Sequence, residues 1–500
     1  MEKTRKIGIV ERIGRILPES NLLFLILIAI LIFVSFFLKG EYNVVGTDGT
    51  YEVLNLLSLD GFRWILYNII NNFRAYPPLG IVIVGVIGFG FAEKVGLLGT
   101  LIKKVGHSTH ESLILPVIIF IGINSSIASD AGYIVLIPLA GALYAGLGKN
   151  PLVGIAAAFA AVSAGFGAAL IPTPGDGLLG EITAKVAEGA GIPIEYGVVT
   201  MNYIFMIAST FFLTVLITFV TKVFVEKRAE HHEIVLPEED RIEIGELTAD
   251  EKKGLKAAGI ALAIVVAGIL ILYFAGPLKN YTAVLEDGSE KVMKPILDNI
   301  IIIMIAIFLF PSIAYGKATE KINSGKEYIQ VTTNAMKDMA YIMVFAIFAG
   351  NFLAIFNHSG LAQYIANHGA QLLIDLNIQN DILLLIAFIA ICAVVNLFMG
   401  SASAKWTLLA PIFIVMLNTT SDSLSPEIVQ AAYRVADSST NIISPLMTYM
   451  GVILITAKKF APKFEVGDLM AIMMPYSMAI FIGWSAFFAI WMALGIPFGI

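Results

Sequence analysis

Apolar residues in this chain come in long blocks, not at the spacing of half-buried helices or the alternation of half-buried strands. Nine blocks, near 21–38, 77–100, 151–172, 197–221, 255–276, 298–315, 330–356, 427–457 and 469–497, approach or exceed the about 20 residues of a bilayer-crossing helix. Two further apolar blocks, 110–146 and 380–420, have short polar centres, NSSIASDAG at 124–132 and GSASAK at 400–405. The arms flanking those centres, about 12 to 16 residues, are too short to cross alone and suit hairpins that enter and leave by one face. The pattern predicts an all-α integral membrane protein with nine transmembrane helices and two re-entrant hairpins. The outer stretches 39–60 and 277–297 contain Gly, Asn and Asp and are expected to form small hairpins.

Composition agrees. Hydrophobic residues make up 58% and charged residues 14%, against about 25% charged in ordinary globular chains. With a mean hydropathy of +0.84, the main solvent is lipid. A net charge of −6 argues against a nucleic-acid surface. The basic N-terminus (Lys3, Arg5, Lys6, Arg12, Arg15) and its apolar run imitate a signal peptide, but the run is too long and no small-residue cleavage site follows. It reads as a retained span. With the N-terminus cytoplasmic, cytoplasmic segments hold 22 of the 32 basic residues and outer segments seven. That bias places the chain in the cell inner (cytoplasmic) membrane with its C-terminus outside. The charged loop 222–254 reads as a solvated connector, and Cys392, in an apolar run, as inert packing.

An internal repeat adds topology. Tyr133 precedes Pro138 by five residues, as Trp406 precedes Pro411, and each proline lies 34 residues before another, Pro172 and Pro445. The repeats are 77–221 with hairpin 110–146 and 330–497 with hairpin 380–420, while 255–315 is left as scaffold and dimerisation helices. The two hairpins open from opposite faces, so the repeat is inverted. Each is followed by a span interrupted at a proline, IPTPGDG at 171–177 and DSSTNIISP at 437–445, where Pro172 and Pro445 break the helix. Irregular backbone survives at membrane depth only where protein or a cavity satisfies it. Broken helix ends at the midplane offer N-termini to anions and carbonyls to cations, which suits an anionic substrate moved with Na⁺ or H⁺.

The segments NSSIASDAGYIVLIPLA, GSASAKWTLLAPIF and AAYRVADSSTNIISPLM resemble signature segments of the p-aminobenzoyl-glutamate transporter (AbgT) family, and the similarity covers nearly the whole chain. The resemblance implies a homodimer with an inward-facing, bowl-like basin. It also implies transport of p-aminobenzoyl-glutamate and, in some members, proton-driven efflux of sulfonamides. Cargo and direction stay open.

Matching positions supply the site candidates. Asp176 has two readings, an N-cap for a helix from Gly177 or a substrate or ion role at the family's functional aspartate. Arg434 and Asp437, three apart on one helix face, form either a self-neutralising pair or a substrate-carboxylate anchor with a tuning or proton-accepting partner. Trp406, beside Ser401, Ser403 and Lys405, either packs or stacks on an aminobenzoyl or sulfanilamide ring. Lys405 has snorkelling towards water as its alternative. At the first hairpin tip Ser125, Ser126, Ser129 and Asp130 bind substrate or cap helices. Asn441 joins the substrate set, and Asn124, Asn396, Ser438 and Thr440 offer neutral oxygens for Na⁺ or for helix-to-helix hydrogen bonds. Bound Na⁺ apart, no cofactor is expected. The expected partners are a small anionic substrate, H⁺ or Na⁺, the lipid bilayer and a second copy of the chain.

Other function classes fit less well. GALYAGLGK at 141–149 places Leu147 where a phosphate-binding loop needs Lys then Ser or Thr, which excludes a nucleotide-driven pump. The histidines His107, His110, His231, His232, His358 and His368 lie in loops or near span ends, so a membrane-embedded enzyme lacks its cluster. A passive channel is the remaining alternative, and hairpins from opposite faces favour alternating access over it.

Overall fold

The computed structural model describes residues 20–500 apart from 46–48, 109, 129, 236–246, 285–289, 294, 296–299, 338–339 and 422. Ser129 and the middle of the charged connector therefore lie outside the described residues, as do the basic N-terminal residues.

The described chain is mostly helical, with two small antiparallel hairpins, Gly40–Asn43 with Thr50–Val53 and Tyr281–Val284 with Glu290–Met293, where the sequence expects them. Among the described residues five helices are long and apolar enough to cross a membrane: Asn21–Leu38, Tyr203–Ala229, Ala249–Phe274, Ala402–Thr420 and Val466–Ala493. Met343–His358 and Leu361–Asp375, bent by 58°, make a sixth if taken together. Of the other apolar blocks, 298–315 holds the continuous helix Ile300–Ala318 and the rest are broken helices. Gly96, at φ +86°, divides the block 77–100 into Pro77–Lys94 and Leu97–Ser108. The block 330–356 falls into Gly325–Lys337 and Ala340–His358. Two helices escape the hydropathy reading, Leu59–Arg74 and Leu361–Asp375, because polar residues occupy one side of each.

The blocks 110–146 and 380–420 each hold two helices. The first consists of Glu111–Asn124, a short turn and Ala131–Gly146, and the second of Asp381–Asn396 and Ala402–Thr420. The outgoing arm of the second has 19 residues, longer than expected, since its polar start Ala402–Lys405 is already helical. Each hairpin is followed by a broken helix. Pro151–Ala164 ends ten residues before Pro174–Ala190 begins, and Pro426–Thr440 gives way through a short 3₁₀ turn to Met450–Phe460. Pro172 and Pro445 both stand in these gaps, as expected.

The incoming arms Glu111–Asn124 and Asp381–Asn396 pack on Pro151–Ala164 and Pro426–Thr440 respectively. The outgoing arms differ: Ala402–Thr420 lies chiefly on Pro174–Ala190, whereas Ala131–Gly146 lies chiefly on Pro151–Ala164 and less extensively on Met450–Phe460. Every residue of Pro151–Ala164 is buried, as is nearly every residue of Pro426–Thr440, so both helices run through the centre. Ala249–Phe274 is the opposite case, burying only Gly254 and Ala258, and its apolar surface suits lipid. It packs on Ile300–Ala318, which packs on Pro77–Lys94, to one side of the two hairpin units.

Candidate functional site

The site is built where the two breaks and the second hairpin tip meet. After the first break Thr173 caps Pro174–Ala190, its hydroxyl accepting from the Asp176 N–H at 3.4 Å. Asp176 Oδ2 in turn accepts from the Thr173 N–H at 2.6 Å and the Thr173 hydroxyl at 2.8 Å, completing a capping box. The helix therefore starts at Pro174, not at Gly177, and the cap proper is Thr173. Asp176 caps with one oxygen only.

Its other oxygen, Oδ1, takes a hydrogen bond of 2.5 Å from Arg434 Nη1, with both side chains 2% exposed. This overturns the reading of Arg434 and Asp437 as a pair. Arg434 meets Asp176 on a neighbouring helix, and Asp437, three residues on, is neutralised by Lys405 from another. Arg434 Nε also donates to Gln430 Oε1 at 3.2 Å, and Nη1 lies 3.4 Å from the Phe166 carbonyl in the first break. Asp437 pairs instead with Lys405, whose Nζ also donates to Asn396 Oδ1. Lys405 is 1% exposed, so it does not snorkel. Asn396 is occupied on both sides, since its Nδ2 donates to the Asp437 carbonyl at 2.6 Å and to Thr440 Oγ1 at 3.0 Å. Two cations and two anions are thus enclosed as crossed pairs.

The pairs are unequal in their helix fields. Asp176 lies at a helix N-terminus, which favours an anion, and Arg434 in the C-terminal half of its helix, which favours a cation. Lys405 lies in the first turn of Ala402–Thr420 and Asp437 in the last turn of Pro426–Thr440, each against the helix dipole. The Lys405–Asp437 pair has the Asn396 bond to Lys405 but no support from either helix dipole, and is the easier of the two to separate.

Trp406 is fully buried, stacked on Tyr433 with ring centroids 4.5 Å apart, and its Nε1 donates to Thr183 Oγ1 at 2.8 Å. Gln430 Nε2 donates to the same hydroxyl at 2.7 Å, joining the aromatic stack to Arg434. Thr183, Gln430 and Tyr433 are site residues the sequence reading missed. Gln430, four residues before Arg434 on a buried helix, carried a signal; Thr183 carried none. Ser401 caps the second tip through the Ala404 N–H at 3.4 Å, and Ser403 lies 3.4 Å from its hydroxyl.

At the first tip the serines are local. Ser125 donates to the Gly122 carbonyl at 2.7 Å and Ser126 to the Ile123 carbonyl at 3.3 Å. Asp130 makes no cap hydrogen bond and faces Tyr449, whose ring stacks on Tyr133 at 4.8 Å. Tyr133 in turn donates to or accepts from Ser163 at 3.0 Å. Asn124 bridges its arm to the first break, donating to the Phe120 carbonyl at 2.8 Å and accepting from the Leu170 N–H at 3.0 Å. Of the four Na⁺ candidates, Asn124 binds within the first break, Asn396 and Thr440 bond to each other at the second, and Ser438 Oγ lies against Gly167 of the first. At the second break Thr440 donates to the Ala393 carbonyl at 2.9 Å, while Ser438 Oγ and Asn441 Oδ1 are buried without hydrogen-bond partners among the described residues. No group of three or more His, Cys, Asp or Glu residues forms a metal site among the described residues.

Over residues 5–500 the chain matches the family described as "AbgT putative transporter family". It is 29% identical to the Escherichia coli p-aminobenzoyl-glutamate transport protein over 497 residues, 98% of this chain and 95% of that one. Among solved structures it is similar to the Alcanivorax borkumensis YdaH transporter, with 35% identity, a TM-score of 0.53, and coverage of 97% of this chain and 100% of that one. The Neisseria gonorrhoeae MtrF structure, described as illuminating a class of antimetabolite efflux pumps, gives 34% identity, a TM-score of 0.51, and 96% coverage of both chains.

Proposed function

The chain belongs to the AbgT family of transporters, and from that premise we propose that it is a secondary active transporter of p-aminobenzoyl-glutamate or related aromatic anions. Sulfonamide antimetabolites are included as exported cargo, and a proton or Na⁺ gradient drives the cycle. It is a transport protein and not an enzyme. Nine spans and two re-entrant hairpins, a homodimer in the inner membrane, a cytoplasmic N-terminus and an outer C-terminus complete the proposal.

The observation that carries this reading is the crossed pair of buried ion pairs at the second tip. An Arg–Asp pair enclosed beside an aromatic stack is a recognition device for an aromatic carboxylate. A cargo carboxylate replaces Asp176 on Arg434, taking both N–H bonds of the planar fork, while the cargo ring enters beside Trp406 and Tyr433. Both side chains are enclosed here, so entry requires the tip helix Ala402–Thr420 to part from Pro174–Ala190. Protonation of Asp437, or Na⁺ bound to it, releases Lys405 and supplies the coupling step, since that pair has no helix-dipole support.

The test is flux of labelled p-aminobenzoyl-glutamate in proteoliposomes under separately imposed Na⁺ and proton gradients. Gradient-driven accumulation or extrusion is the expected result. Gradient-independent leak with single-channel current would replace the transporter by a channel.

A further inference from the structure

Glu427 is a buried carboxyl that the network above does not use. It lies in the first turn of Pro426–Thr440, 0% exposed, with Oε1 accepting the Glu195 backbone N–H at 2.7 Å. Its second oxygen, Oε2, has no hydrogen-bond partner among the described residues, and no cationic side chain there pairs with it. Beside it stands Asn202, 2% exposed, whose Nδ2 donates to the Glu427 carbonyl at 3.2 Å. That bond fixes the amide orientation and leaves Asn202 Oδ1 as a second buried oxygen without a hydrogen-bond partner among the described residues.

Asn202 Oδ1 is an acceptor, and so is Glu427 Oε2 in the ionised carboxyl. A buried carboxylate without a counter-charge costs several kcal/mol. The helix N-terminus next to Glu427 offsets only about half a charge. A small cation bound to both oxygens would supply the partner that each lacks. Oxygen ligands select a hard cation, and a single carboxylate matches a single charge. Tyr196 is in electrostatic contact with both Glu195 and Glu427, so the exposed Glu195 carboxylate adds negative potential at the edge of the site.

We propose that Glu427 Oε2 and Asn202 Oδ1 are ligands of a small hard monovalent cation of the Na⁺ class. Glu427, Gln430, Arg434 and Asp437 recur at helical spacing along one buried helix. Seven residues at about 1.5 Å each put the cation roughly 10 Å along the axis from Arg434. One rigid helix thus carries the cation ligand and the cargo anchor, so loading one end biases the position of the other. That coupling role rests on the transport reading above; occupancy of the site does not.

The experiment is thermal melting of the full-length chain in detergent, with NaCl or choline chloride at equal ionic strength and fixed pH. Wild type is expected to melt higher in Na⁺, with the gain growing logarithmically with concentration. Glu427→Gln, neutral and near-isosteric, can donate its amide N–H to Asn202 and should melt in choline at least as high as wild type, with no Na⁺ gain. Asn202→Ala should weaken the apparent Na⁺ affinity about tenfold, equivalent to about 1.4 kcal/mol. The site is overturned if wild type melts identically in both salts, or if Glu427→Gln keeps the full Na⁺ gain. It is also overturned if infrared spectra of wild type contain a carboxylic-acid carbonyl band that Glu427→Gln removes, which would put a proton there. Absence of any cargo flux beside an intact, Glu427-dependent Na⁺ gain would sink the transport reading and leave this site standing.

Discussion

Replacing Asp176 with Asn separates the two jobs that residue performs. The amide oxygen can still accept from the Thr173 N–H and hydroxyl, so the capping box survives. What disappears is the charge 2.5 Å from Arg434 Nη1, leaving a guanidinium that is 2% exposed facing an amide. Removing one partner of such a buried pair costs about 3–5 kcal/mol. Arg434→Met leaves Asp176 charged, but that carboxylate keeps its Thr173 bonds and its helix N-terminus, an environment worth up to about 2 kcal/mol, so this variant should be the milder of the two. Asp176→Asn with Arg434→Met removes both charges and should return to within about 1 kcal/mol of wild type. Equilibrium unfolding by SDS titration in mixed micelles, followed by tryptophan fluorescence, measures all four corners of the cycle. A parallel cycle on Arg434 and Asp437, neighbours in sequence, should give the smaller coupling. If Asp176→Asn costs under about 1 kcal/mol and the two changes simply add, the buried-pair account is wrong.

Three further outcomes follow from other parts of the molecule. Trp406→Ala should lower stability by about 3–5 kcal/mol, because the ring belongs to the core in this conformation, while Trp406→Phe should keep the Tyr433 stack and lose only the Thr183 bond, about 1 kcal/mol; SDS unfolding decides. Burial in the hairpin of Gly40–Asn43 with Thr50–Val53 pushes the Tyr51 hydroxyl up to about 12 from its ordinary 10.0, so its stabilising contribution is complete below pH 10 and lost as pH rises towards 12. Melting curves across that window should fall further for wild type than for Tyr51→Phe, and parallel falls would refute the assignment. A reporter fused after Ile500 should lie outside and one inserted near Glu239 inside; both on one face would end the nine-span topology.

Much of the architecture is legible from hydropathy because lipid imposes it. Arms bounded near Glu111, Gly146, Asp381 and Thr420 end where the apolar blocks end. The breaks at Pro172 and Pro445 follow from a ring that cannot donate an N–H. Leu59–Arg74 and Leu361–Asp375 are hidden because a half-polar helix lowers any hydropathy average. Local spacing also misleads about charge. Arg434 and Asp437 meet the rule for neighbours on a helix, yet their partners are Asp176 and Lys405, 258 and 32 residues away in sequence. Residue type at a motif position identified the charged groups, but only tertiary packing decides who pairs with whom. Trp406 shows the same limit: its place beside a polar tip left packing and stacking on a cargo ring both open, and the structure packs it on Tyr433 with no exposed surface.

The central claim is that Arg434 exchanges Asp176 for the carboxylate of the cargo. Calorimetric binding of p-aminobenzoyl-glutamate to wild type and to Arg434→Lys tests it most directly. Lys keeps one positive charge but loses the planar two-pronged fork. Binding should fall about tenfold or more, the equivalent of at least about 1.4 kcal/mol, while the variant stays folded and proteoliposome flux falls with it. Wild-type affinity in Arg434→Lys, with wild-type flux, would contradict the account and leave Arg434 as a structural counter-charge for Asp176.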